Sequence, residues 1–322
     1  MITMEFEEVA GWGGELWAHD VTGVAVDAQD RVYALKRDKH AVTVLSPQGE
    51  VLTKWGHPCI SDRPHLISIG FDELVYIADD GGHQIHVFDL EGQWLETLGS
   101  GVPSSTGFDA SIGGVEQAYD LTVGGPPFHR PTKAVVSPSG ELFVSDGYRN
   151  SRIHRFSEQR DAVYSWGGPG AGPGCFVIPH SVQVDASGNV FVCDRENDRI
   201  QVFSRSGEFL SSWENVQRPT DIAFDPSGRA YVTELPRGPR DIKSWRLGRA
   251  EEEMAGAVSV RSTDGSALAW LPVSEAGFPA PHAVAVDSEN AVYVSEVPES
   301  FASYTGRALK EHRCLRKFVR VR

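Results

Sequence analysis

One pattern recurs six times along this chain, and it constrains the fold more than any other feature. An alternating apolar run reaches a polar turn and returns as a second alternating run. The copies read VTGVAVDAQDRVYAL from Val21, PHLISIGFDELVYIAD from Pro64, PTKAVVSPSGELFVSD from Pro131, PHSVQVDASGNVFVCD from Pro179, PTDIAFDPSGRAYVTE from Pro219 and PHAVAVDSENAVYVSE from Pro281. Period-two alternation on both sides of a turn is the mark of paired, half-buried strands. Most copies continue into a third strand such as IHVF, RIHRF or RIQVF, then a fourth that ends near a tryptophan. That column reads Trp12, Trp55, Trp166, Trp213 and Trp270, with Leu98 in the second copy. Four short strands per unit, repeating every ~40 to 50 residues, predict an all-β, six-bladed β-propeller. The sixth copy stops after its third strand, CLRKFVR, whereas residues 4–14, MEFEEVAGWGG, match a fourth strand and precede any first strand. The N-terminal strand is therefore expected to complete the last blade, which removes an exposed sheet edge. With no Pro/Ser-rich linker, residues 1–322 read as a single domain whose blades start near 21, 64, 131, 179, 219 and 281.

A formal net charge of −14 argues against nucleic-acid binding, because an acidic surface repels phosphates at long range. The one basic run, Arg307 to Arg322, reads as a solvated strand and loop. The N-terminus is acidic and lacks the apolar core of a signal peptide, and no apolar run is long enough to span a bilayer. Cys59, Cys175, Cys193 and Cys314 are scattered without a C-x-x-C pair, so neither a zinc ribbon nor a disulfide framework is expected. The expected compartment is the cytoplasm. Oligomeric state is not legible.

The chemistry is concentrated at the start of the first strand of each copy. The second residue of the copies is, in order, Thr22, His65, Thr132, His180, Thr220 and His282. First strands line the channel of a propeller with equivalent positions about 60° apart, so strict alternation sets the three imidazoles about 120° apart at one level. That arrangement suits a three-histidine zinc site with a fourth position open, although iron, manganese or cobalt would also accept such ligands. The plainer alternative is that each histidine is a hydrogen-bonded structural residue. A second column, Lys36, Asp79, Asp146, Asp194, Glu234 and Glu296, closes the second strands and is assigned a structural role, accepting turn amides. Beside it stand Arg37 and Arg195, with Tyr148 one place further on. Cations there can clamp an anionic substrate, and a phenol can carry a proton.

VSDGYRNSRIHRFS (Val144 to Ser157) and CFVIPHSVQVDASGNVFVCDRENDRIQVF (Cys175 to Phe203) resemble the core of the peptidyl-α-hydroxyglycine α-amidating lyases, which are NHL-repeat propellers. Weaker similarity extends to RPHLISIG, PHAVAV and VTGVAVDAQDRVYALKRDKH, so it covers nearly the whole chain. The resemblance implies zinc on His65, His180 and His282, Tyr148 as the catalytic phenol, Arg195 near the reacting group and Arg37 as a carboxylate anchor. It also implies cleavage of a carbinolamide into an amide and glyoxylate without a redox cofactor. Departures narrow what carries over. Arg149 and His129 stand where the family has a cysteine pair, Ala283 replaces an aspartate that is a calcium ligand there, and Ala280 replaces a methionine. Structural calcium is accordingly not expected, and a small anionic metabolite is a better substrate expectation than a peptide hormone. The insertion 100–130 and the loop 298–312 are expected over the channel, where they would reshape specificity. Two other functions stay open: a zinc-dependent hydrolase or hydratase, since an open three-histidine site also activates water, and a non-catalytic NHL interaction scaffold.

Overall fold

The computed structural model describes residues 4–14, 19–103, 128–273, 277–308 and 313–321. The insertion 100–130 therefore lies for its greater part outside the described residues, as do 309–312 of the loop 298–312. The repeated pattern folds as the sequence predicts, into six four-stranded sheets, the blades of a six-bladed β-propeller. Contacts group the blades into two compact units of three.

The first unit holds blades 1, 5 and 6. Blade 1 runs through Gly23–Val26, Val32–Leu35, Val42–Leu45 and Val51–Trp55, and blade 5 through Pro219–Phe224, Ala230–Glu234, Ala257–Arg261 and Ala267–Trp270. Blade 6 is built from Pro281–Val286, Val292–Glu296 and Leu315–Arg320, and its fourth strand is Phe6–Glu8 from the N-terminus, paired antiparallel with Phe6 opposite Arg320. Phe6 is buried against Tyr231, Val258, Val292 and Phe318, so apolar burial as well as backbone pairing holds the strand in place.

The second unit holds blades 2, 3 and 4. Their strands are Pro64–Ile69, Val75–Asp79, Gln84–Phe88 and Trp94–Leu98; Lys133–Val136, Leu142–Asp146, Arg152–Phe156 and Ala162–Trp166; and Pro179–Val184, Val190–Asp194, Arg199–Phe203 and Phe209–Trp213. Alternate residues of facing sheets interlock. Tyr76, Ala78, Ile85 and Val87 of blade 2 meet Ala134, Val136, Leu142 and Val144 of blade 3. Val135, Phe143, Ile153 and Trp166 of blade 3 meet Val182, Val184, Val190 and Val192 of blade 4. In blades 1, 4, 5 and 6 the turn between first and second strands is aspartate-centred. Asp27, Asp185, Asp225 and Asp287 accept amides two and four residues on, leaving the apolar runs free to pair.

The tryptophan column departs from expectation in blade 5. Trp55, Trp166 and Trp213 are buried opposite Val42, Ile153 and Ile200, the branched residue at the same place in each third strand. Trp270 instead pairs with Ser259, one residue further along, and is 57% exposed; Leu271 takes the buried place. A one-residue slip in a period-two strand exchanges its faces.

Candidate metal and catalytic site

Each histidine of the alternating column is the extra residue of a β-bulge. The first strand of blade 2 pairs Pro64 with Asp79 and then Leu66 with Ala78, leaving His65 without an opposite residue. Pro179 and Ser181 bracket His180 in the same way, and Pro281 and Ala283 bracket His282. The strand of blade 3, which carries Thr132 instead, pairs from Lys133 onward without such a shift. A bulge re-aims one side chain without disturbing the rest of the ladder, and it is a common device beside functional sites.

Within each unit, threonines and histidines of neighbouring blades are linked by hydrogen bonds. The Nδ1–H of His65 donates to the Thr132 carbonyl at 2.7 Å, and that of His282 donates to the Thr22 carbonyl at 2.6 Å. In turn, the Thr132 hydroxyl donates to the carbonyl of Pro179, the residue before His180, and the Thr220 hydroxyl to that of Pro281, the residue before His282. A carbonyl only accepts, so Nδ1 carries the hydrogen and a neutral ring presents Nε2 as a lone pair. All three histidines are buried, and each offers one ring nitrogen that lies within 4.8 Å of the other two. Three close histidines of this kind can hold a metal ion. Among the described residues no other group of three or more His, Cys, Asp or Glu side chains has that property.

Tyr148 stands against two of them. Its hydroxyl lies 3.0 Å from His65 Nε2 and 3.2 Å from His180 Nε2, and both rings meet the phenol edge to face. Gly147 permits this approach, since a Cβ there would stand 2.3 Å from the Pro179 carbonyl oxygen, next to His180. The guanidinium of Arg195 sits over the Tyr148 ring at 5.7 Å, within cation–π range. Tyr148, Arg195, His65 and His180 therefore form one constellation. Arg37 follows strand Val32–Leu35 in the first unit and donates to the Ser300 hydroxyl of helix Pro298–Thr305 at 3.1 Å.

The acidic column has the structural role the sequence suggests. Asp79 accepts the amides of Ser61 and Gly82, Asp146 that of His129, Asp194 that of Val177 and Glu296 that of Ala280. Asp194 also takes Asn197 Nδ2, Arg199 Nε and Gln201 Nε2; even so, its complete burial outweighs these donors and pushes its pKa up to about 6. Sequence reasoning missed two residues here. Glu196, wholly buried, accepts Arg195 Nε at 2.8 Å and an Arg218 terminal nitrogen at 2.9 Å on one oxygen. Both stand in motifs that invited attention, Glu196 in DREN and Arg218 before the Pro219 that opens the next repeat.

The NHL repeat profile matches residues 128–156 and 176–203, in the blades that carry Tyr148, His180 and Arg195. Among curated proteins, the chain is 28% identical over 291 residues to NHL repeat-containing protein 3 of Mus musculus, covering 85% of this chain and 76% of that protein. It is 27% identical over 284 residues to peptidyl-alpha-hydroxyglycine alpha-amidating lyase 1 of Drosophila melanogaster, where the match covers 83% of this chain and 49% of that lyase. Among solved structures, a gluconolactonase of Xanthomonas campestris superposes with a TM-score of 0.61 at 12% identity, over 99% of this chain and 95% of that one, a likeness of fold alone. No helix among the described residues is long and apolar enough to cross a membrane.

Proposed function

We propose that this protein is a zinc-dependent lyase that cleaves the C–N bond of a small carbinolamide bearing a carboxylate, giving an amide and glyoxylate. The observation that carries the reading is the convergence of Tyr148 on two bulged histidines whose group can hold a metal ion. The donor set fits zinc: neutral imidazoles, at least two with Nδ1 fixed by a carbonyl, in a group of three that leaves a coordination position for substrate. Bound there, the ion supplies Lewis acidity toward a substrate oxygen. His65, His180 and His282 hold it. Tyr148 moves the proton: the substrate hydroxyl loses it as the carbonyl of glyoxylate forms, and the nitrogen receives it as the C–N bond breaks, so no oxidant or reductant is consumed. Arg195 neutralises the carboxylate beside the reacting carbon, and Arg37 is the second anchor for that group. The burial of the histidines excludes bulk water and strengthens each of these electrostatic contacts. The similarity to a named amidating lyase supports the same reading.

The test uses zinc-loaded protein with α-hydroxyhippurate, ureidoglycolate and the corresponding neutral carbinolamides, in water enriched in oxygen-18. Benzamide and glyoxylate are expected in equal amounts from α-hydroxyhippurate, with no label in the benzamide. Labelled benzoate would instead identify a hydrolase. Arg37→Ala is expected to raise KM for the acids by about 1.5–3 kcal/mol and to leave the neutral compounds nearly unchanged. Neutral compounds turning over as well as the acids would end the carboxylate-clamp reading.

A further inference from the structure

We infer that Glu196 is a positioning residue of this site, aiming Arg195, and that the segment Ile242–Arg249 holds Glu196 in register. This rests on Arg195 meeting the carboxylate of an anionic ligand. Strand Val190–Asp194 ends in a single 3-10 turn, Arg195–Asn197, closed by Asp198 in the left-handed region at φ 52°. Every side chain of the turn is buried, Glu196 and Asn197 completely. The turn is pinned from below by the amides of Arg195 and Glu196, which donate to the Ile178 and Val177 carbonyls just before His180. From the other side it is covered by a segment from elsewhere in the chain. The Trp245 amide donates to the Glu196 carbonyl at 3.1 Å, and Arg246 donates to the carbonyls of Asn197 and Asp198 at 2.8 and 2.9 Å.

An arginine side chain is long and has many rotamers, so its useful direction in a site must be imposed. Here the Nε–H of Arg195 is bonded to the carboxylate of the adjacent Glu196, on a backbone fixed at three successive carbonyls. Arg218 binds the same Glu196 oxygen and so restrains that carboxylate as well. The Arg195 guanidinium is thereby held over Tyr148, at 5.7 Å from the ring. Neither Glu196 nor Arg246 need touch a ligand for this to act; both act through Arg195.

The experiment measures binding of hippurate and of its methyl ester to zinc-loaded protein by calorimetry, in the wild type, Glu196→Gln, Arg246→Ala and Arg246→Lys. Wild type is expected to prefer the acid. Glu196→Gln is expected to weaken acid binding about ten-fold or more while ester binding stays within two-fold. Arg246→Ala should shift the acid the same way by about three- to five-fold, with Arg246→Lys recovering part of the loss. Equal weakening of acid and ester, or acid binding unchanged in the variants, overturns the inference, as does a wild type that binds acid and ester alike. If Glu196→Gln does not fold, the Arg246 pair decides by the same criteria. A wild type that prefers hippurate but cleaves no carbinolamide sinks the lyase reading alone and leaves the role of Glu196 to be decided by the variants.

Discussion

The loop after strand Val75–Asp79 in blade 2 and the loop after strand Val190–Asp194 in blade 4 start from the same aspartate and differ at the residue that follows. In both, the aspartate is buried and accepts a backbone amide from the chain ahead of its own first strand, from Ser61 in one and Val177 in the other. In blade 2 the next residue is Asp80, buried and gripped by both Arg63 Nε and its terminal nitrogen, so the loop consumes its own charge. In blade 4 the next residue is Arg195, held by Glu196 and directed at Tyr148. The two arginines come from different places: Arg63 precedes the proline that opens blade 2 itself, whereas Arg218 precedes the proline that opens blade 5, and the position before Pro179 in blade 4 is Ile178. The two blades thus share a frame, the aspartate that ends the second strand and accepts an amide from ahead of the first, and chemistry enters by substitution at the one or two positions the frame leaves open. The histidines show the same division. His86 and His154, on third strands, bond to Asp79 and Asp146 and to the hydroxyls of Thr97 and Ser165, whereas His65 and His180 are bulged toward Tyr148.

The sharpest way to break this division is to remove one histidine of each kind. His180→Ala is expected to lose most of the bound zinc and with it activity, because two remaining imidazoles hold the ion poorly. His154→Ala should keep a full equivalent of metal and lose about 1–3 kcal/mol of stability, since it leaves buried Asp146 and Ser165 short of a partner. Metal analysis and denaturant melts of both variants check this. Full metal retention in His180→Ala would return the bulged histidines to the frame.

The next effect concerns the phenol. Tyr148→Phe removes one oxygen and preserves the edge-to-face ring contacts with His65 and His180. Fold and metal content should be kept while turnover falls by roughly a hundred-fold or more, the usual scale for losing a general acid or base. Turnover within a few-fold of wild type would show that proximity to two histidines is packing rather than proton transfer.

How much of this was legible in the sequence differs between frame and site. Six copies of a period-two pattern dictate blades, and the missing last strand could be supplied by residues 4–14, because both are properties of the backbone and its alternation. The alternation of Thr22, His65, Thr132, His180, Thr220 and His282 was visible as a column, but not the bulges and threonine carbonyls that accompany it, since these are facts of register. Trp270 misled for the same reason: a one-residue slip leaves the composition of a strand intact and reverses its faces. Glu196 was passed over because a charge next to a charge reads as a solvated turn until the structure shows both buried. The segment Ile242–Arg249 could not be placed at all, as its partners Glu196, Asn197 and Asp198 are remote in the sequence.

The smallest expected effect, and the one that tests the frame itself, is in pH dependence. Both frame aspartates are pushed upward by burial, but the outcome differs. At Asp79 the hydrogen bonds from His86, Ser61 and Gly82 overcome burial, and its pKa lies below the ordinary carboxylate value. At Asp194 burial prevails over Arg199 and the other donors, and the pKa rises to about 6. The signs follow from which state binds more protons. For Asp79 the unfolded chain protonates first as pH falls, so its contribution is present above about pH 4 and is lost on acidification through the lower native value. For Asp194 the native state keeps a proton that the unfolded chain has released, so between about pH 4 and 6 stability declines as pH rises, by on the order of 2 kcal/mol in total. Urea melts of wild type, Asp79→Asn and Asp194→Asn across pH 3 to 7 separate the two. Asp194→Asn should flatten the decline between pH 4 and 6 relative to wild type, and Asp79→Asn should soften the loss below pH 4. The slopes rather than the absolute stabilities carry the result, because either asparagine also turns an amide donor toward donors already present. If both variants change the same limb of the profile, the two loops are electrostatically alike, and the difference between blades 2 and 4 reduces to Asp80 against Arg195.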